Sequence, residues 1–133
     1  MLDTYACAII KKNGNYLMFD HKKIDGYTVP GGKVEENERP VDAAIRELYE
    51  EVGLKVTEND LSFIDVIHNI DTILNKNQQY ILHIYKIDWK EEFNEPINKE
   101  AEKHSDLGWF SIDDVKLLSV KRVMADYIIE KQP

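Results

Sequence analysis

Glu47, Glu50 and Glu51 fall three and four residues apart, so on a helix their side chains leave adjoining turns toward a common point. Like charges at those spacings are unfavourable by about 0.2–0.5 kcal/mol per pair on an exposed helix, and by more once partly desolvated. A divalent cation reverses the sign of that term, so the chemistry the spacing points to is metal binding through carboxylate oxygens. Arg46 stands beside them as a planar cation suited to holding Glu38 or Glu47 in orientation through paired hydrogen bonds. Pro30-Gly31-Gly32 reads as a turn without side chains, whose main-chain groups approach a ligand closely, and a carbonyl of Gly31 or Gly32 can add a metal ligand.

The element that must position these groups is a helix. Val41, Ala44, Ile45, Leu48 and Val52 recur with a period near 3.6 residues, giving one buried stripe with the glutamates expected off it. Asn37 is the expected N-cap, with Pro40 tolerated in the first turn. Gly53 is suited to a left-handed C-terminal residue, with Leu54 folding back over the last turn.

Taken together, Gly32, Glu38, Arg46-Glu47-Leu48, Glu50-Glu51 and Gly53-Leu54 resemble the complete Nudix box, spanning residues 32–54 with no defining position substituted. The resemblance implies an α/β/α sandwich with a mixed sheet between helices, and a single domain over residues 1–133. It implies hydrolysis of a phosphoanhydride assisted by Mg²⁺, with Mn²⁺ able to substitute. By the same resemblance Glu50 and Glu51 are the principal metal ligands, Glu47 is a ligand or the general base, Arg46 orients, Glu38 supports, and Lys33 touches a phosphate. A second segment, Asn98-Lys99-Glu100-Ala101-Glu102-Lys103-His104, resembles one found in MutT-like nucleoside triphosphate pyrophosphatases, with Ala101 where that branch has proline. It makes Glu100 the favoured loop carboxylate for the general base, ahead of Glu102.

Cleaving a phosphoanhydride with water requires neutralised oxygens on adjacent phosphates and a positioned, partly deprotonated water. The leading expectation is conversion of a nucleoside triphosphate, modified or not, to the monophosphate and pyrophosphate. The alternatives are another nucleoside diphosphate linked to a group X (a dinucleoside polyphosphate, ADP-ribose or a capped RNA end), or a nucleotide-sensing module without catalysis. The resemblance implies a proline well beyond the box in the ADP-ribose branch and loss of box glutamates in non-catalytic modules; with no proline between Pro40 and Pro96 and all the box glutamates present, both are disfavoured.

At 133 residues the chain has room for one core, and 43% hydrophobic with 32% charged residues fits a folded, soluble protein. A net charge of −8 disfavours adhesion to nucleic acid but not a small nucleotide whose phosphates meet metal ions and a few lysines. No apolar run reaches a membrane span, and Met1-Leu2-Asp3 lacks a signal-peptide start, so no membrane partner and a cytoplasmic location are expected. Both monomer and homodimer stay open. Cys7, the one cysteine, sits in the run Ala6-Cys7-Ala8-Ile9-Ile10 and reads as an inert buried thiol. His21, His68 and His104 have no mutual spacing that suggests a metal site. Strands are expected at Tyr5 to Lys11, Tyr16 to Phe19 after an Asn13-Gly14 hairpin turn, Tyr27 to Val29, Leu61 to Ile70, Tyr80 to Trp89 and Ser105 to Phe110. A brief strand is expected at Lys55 to Thr57, a short helix from Ser111, and a second main helix over Ser119 to Lys131.

Overall fold

Strand β1 (Asp3–Lys12) lies at the centre of a seven-stranded mixed sheet and runs parallel to β6 (Gln78–Asp88), from Asp3 opposite Tyr80 to Lys11 opposite Asp88. The computed structural model describes residues 2–23, 26–71, 78–118 and 122–133. On the other flank β1 is shared. Its first half pairs antiparallel with β4 (Gly31–Lys33), and its end pairs with β2 (Asn15–His21) through the Asn13-Gly14 turn, where both residues have positive φ. Beyond them β2 pairs with β3 (Gly26–Thr28) and β7 (His104–Phe110), and β5 (Ser62–Asp71) forms the far edge against β6.

Helices cover both faces, which is why β1 is apolar without alternation. Ala8 and Ile10 point with Leu17, Phe19 and Ile87 at Leu48, Val52 and Leu54, on the side of helix α1 (Pro40–Val52). Cys7 and Ile9 point with Met18, Leu82 and Ile84 at Val115, Met124, Ala125 and Ile128, on the side of α2 (Ile112–Lys116) and α3 (Val123–Lys131). This is the α/β/α sandwich with a mixed sheet. Burial raises the Cys7 thiol far above its ordinary pKa, keeping it protonated. Among the described residues no helix is long and apolar enough to cross a membrane.

Local structure departs from the expectations at four places. The N-cap of α1 is Arg39, not Asn37: Pro40 takes the first helical position and forces the residue before it to be extended, at φ −75° and ψ 148°. Lys55 to Thr57 is not a strand; Thr57 instead caps a 3-10 turn over Glu58–Asp60 in a reciprocal capping box. Gly31 and Gly32 are paired strand residues rather than turn residues. The last helix begins at Val123, and residues 119–121 of its expected start lie outside the described residues, as do residues 24–25 and 72–77 between expected strands.

Gly53 closes α1 in the left-handed conformation, φ 70°, with its N–H reaching the carbonyl of Tyr49 at 3.0 Å. A Cβ there is strained whatever the space around it, so Gly53→Ala should lower the free energy of unfolding by about 1–2 kcal/mol in a urea titration.

Candidate active site

Helix α1 ends with carbonyls that have no partner inside the helix. A loop from β6 supplies the partners. The N–H of Ile97 donates to the Val52 carbonyl at 2.9 Å, that of Lys99 to the Glu51 carbonyl at 3.0 Å, and the Asn94 amide to the Gly53 carbonyl at 2.9 Å. This strap delivers Glu100 to the end of α1. The chain then turns, with the N–H groups of Lys103 and His104 donating to the Glu100 carbonyl at 2.8 and 3.1 Å, and His104 enters β7.

Glu51, Glu100 and His104 thereby meet: each offers one ligand atom, and the three atoms lie within 4.8 Å of one another. Glu51 is 5% exposed, and its Oε1 accepts the Gly31 N–H at 2.8 Å. Burial is the largest influence on its carboxyl and raises the pKa, against the opposing pull of His104 and the Gly31 N–H. The buried stripe of α1 therefore contains Ala43, Ala44, Leu48, Glu51 and Val52, while Val41 and Ile45 are only partly covered. The expectation that all the glutamates lie off the stripe fails at Glu51.

Glu47 sits one turn earlier, against Gly32, where any Cβ would fall on its carboxylate, 2.5 Å from Cδ. A side chain at 32 would displace the Glu47 carboxylate from this position. Burial pushes the Glu47 carboxyl up to about 7, the neighbouring Glu51 adds to the rise, and Arg46 opposes it. Arg46 grips Glu38 with two parallel bonds, Nε to Oε2 at 2.9 Å and Nη2 to Oε1 at 3.0 Å. It also reaches Glu47 Oε1 at 2.8 Å and the Lys33 carbonyl at 3.0 Å. The same pairing holds the Glu38 carboxyl below its ordinary range. Glu50 is the exposed member of the set, 3.4 Å from Arg46 Nη1, and Lys33 Nζ lies in the open 3.3 Å from Asp3.

Of the residues expected from the sequence, Glu51 and Glu100 come together, Glu47 and Glu50 both reach Arg46, and Glu47 lies near enough to Glu51 for that charge to raise its carboxyl. Gly31 donates its N–H to Glu51. His104 is the residue sequence reasoning passed over. Its spacing from the other histidines carries no signal, but its position four residues after Glu100, within one turn, would have found it.

The donor set fits a divalent cation. Three ligand-bearing side chains converge where water is largely excluded, and the buried Nε2 of His104 has no hydrogen-bond partner among the described residues. The electrostatics give a metal-free prediction. Because the folded protein raises the carboxyl of Glu47 from 4.5 to about 7, the native state binds a proton that the unfolded chain releases across that window. Stability contributed by this group is therefore full at pH 4.5 and lost as pH rises through 7. Urea titrations in chelator should give a lower midpoint at pH 8 than at pH 5, and Glu47→Gln should flatten the difference.

The NUDIX domain family matches residues 2–130. Diphosphoinositol polyphosphate phosphohydrolase 2 of Mus musculus is 34% identical over 108 residues, covering 78% of this chain and 54% of that protein, and the Homo sapiens protein matches equally. The chain thus spans about half the length of the curated relatives it matches. Among solved structures, a MutT NUDIX hydrolase from Burkholderia pseudomallei superposes with a TM-score of 0.85 at 25% identity, covering 100% of this chain and 99% of that one. A structure described for MutT of Aliivibrio salmonicida and Vibrio cholerae superposes at 0.73 with 20% identity, over 98% and 96% of the two chains, a likeness of fold alone.

Proposed function

The chain belongs to the NUDIX domain family, and from that premise we propose that residues 1–133 form one hydrolase domain, with its box at 32–54. It cleaves a nucleoside triphosphate to the monophosphate and pyrophosphate with the help of Mg²⁺, for which Mn²⁺ substitutes. The observation that carries the reading is the convergence of Glu51, Glu100 and His104 beside the Glu47–Arg46 pair.

Glu51, with Glu50 and Glu47 from α1 and a carbonyl of the Gly31-Gly32 strand, would hold the cation. A bound divalent ion supplies charge neutralisation at the phosphate oxygens and acidifies water. Glu47 is a ligand or the general base; without metal its carboxyl is pushed up to about 7, the range suited to accepting a proton from water at neutral pH. Arg46 spends its donors on Glu38, Glu47 and the Lys33 carbonyl, so its role is to fix the base and not to bind phosphate. Glu100 is the second carboxylate in reach of the same chemistry, held by Lys103 at 3.3 Å. Lys33, exposed and paired with Asp3 at 3.3 Å, has the freedom to meet a phosphate.

The names of the curated relatives favour a second reading, a diphosphorylated inositol polyphosphate. Such a ligand presents many phosphates and calls for many cations, whereas Arg46 and Lys103 are already paired with carboxylates and the net charge is −8. A nucleotide, with its shorter phosphate chain, fits this balance better. The test is ³¹P NMR of products from a panel of nucleoside triphosphates, dinucleoside polyphosphates, ADP-ribose and diphosphoinositol polyphosphates with Mg²⁺. Pyrophosphate from a triphosphate supports the proposal. Orthophosphate from the inositol compounds alone replaces it with the second reading.

A further inference from the structure

His104 is placed as a ligand would be. Its ring is 1% exposed and lies flat on Phe19, with centroids 4.0 Å apart and an interplanar angle of 16°, so its plane is fixed. The proton on the ring is fixed as well. Asn98 Nδ2 donates to the His104 carbonyl at 2.8 Å and Asn98 Oδ1 accepts the Glu100 N–H at 3.2 Å, which leaves one orientation for that amide. The ring Nδ1, 3.2 Å from Asn98 Oδ1, must therefore be a donor. In the neutral imidazole this puts the lone pair on Nε2, and a hydrogen bond at the far ring nitrogen is what a metal-binding histidine characteristically makes.

Nε2 points at two carboxylate oxygens, 3.6 Å from Glu51 Oε2 and 3.6 Å from Glu100 Oε1. Charge-assisted N–H···O bonds are shorter, about 2.7–2.9 Å. Atoms sharing a cation at bonds of about 2.1 Å stand some 3.0–3.5 Å apart, a little less than the two 3.6 Å separations from Nε2 here, and all three ligand atoms lie within 4.8 Å of one another. In that neutral form the lone pair faces two carboxylates, a repulsion that a cation between them removes.

We propose that a divalent cation lies between Glu51, Glu100 and His104, with His104 its nitrogen ligand and Glu51 the carboxylate shared with the box glutamates, and that His104 biases this site toward ions that accept imidazole, such as Mn²⁺ and Co²⁺, over Mg²⁺. The assignment rests on the reading that this site holds a cation. The bias follows from ligand chemistry: Mg²⁺ prefers oxygen and keeps its waters, whereas imidazole suits the first-row transition ions.

The test is electron spin-echo envelope modulation of Mn²⁺ added below one equivalent to metal-free protein. Unlabelled protein should show ¹⁴N modulation from a directly bound imidazole, and protein with ¹⁵N-histidine should show the ¹⁵N pattern instead, neither of which depends on a variant folding. The signal should vanish in His104→Leu and persist in His21→Gln. The Mn²⁺ Kd should weaken at least about tenfold in His104→Leu, the loss that even outer partners of a ligand produce, with a smaller change for Mg²⁺. Bound Mn²⁺ without nitrogen modulation, modulation that survives His104→Leu, or no Mn²⁺ binding overturns the proposal. Nitrogen modulation with no hydrolysis of any nucleotide would instead overturn the nucleotide reading and leave His104 as a ligand.

Discussion

Glu51→Gln should lower kcat by about 10²–10³-fold at saturating nucleotide and Mg²⁺, the range lost when one fixed electrostatic contact to developing charge is removed. The substitution keeps the shape and retains an oxygen to accept the Gly31 N–H, which the native Oε1 binds at 2.8 Å. What disappears is the charge. Because burial already disfavours that charge in the folded state, the variant should unfold at the same temperature as the parent or a higher one without metal. Loss of turnover with undiminished stability is the signature of a cation ligand. A variant with parental kcat would remove Glu51 from the mechanism.

Arg46→Ala should lower kcat by roughly 10²-fold, within the range general-base catalysis contributes, because it frees the carboxylate proposed to take the proton. In the native protein one guanidinium bridges Glu38 and Glu47. Removing it leaves two acidic groups near each other without a counter-charge, and the Glu47 carboxyl, held down by Arg46 to about 7, should rise further. The acid limb of the kcat/KM profile should therefore move to higher pH. Arg46→Lys should restore little, since an ammonium cannot reproduce the paired bonds to Glu38. Full activity in Arg46→Lys would show that charge alone suffices and would contradict the orienting role.

The helix and its box were legible because their signals are local. The spacing of Glu47, Glu50 and Glu51, the left-handed Gly53 and the run from Ala6 to Ile10 each act within a few residues. Features depending on contacts across the chain were not. Glu51 breaks the apolar stripe because the strap from Ile97 to Lys99 and the Gly31 N–H cover and bond it, and no periodicity encodes a strap. The pairing of Gly31 and Gly32 with Cys7 and Ala6 was hidden because paired glycines carry no strand signature. For His104 the one local sign was its place four residues after Glu100; its contacts with Asn98 and Phe19, from a loop and a distant strand, carry no sequence signal. Where the sequence was misleading, at Asn37, a good capping residue lost to the stronger constraint of Pro40 on Arg39.

The proposal that Glu51 holds the cation is tested most directly by calorimetric titration of Mg²⁺ and Mn²⁺ into metal-free protein carrying a nonhydrolysable nucleoside triphosphate. The parent should bind the ions, with Glu51→Gln losing at least about tenfold in affinity. Equal affinity in Glu51→Gln, or no binding by the parent, would contradict it.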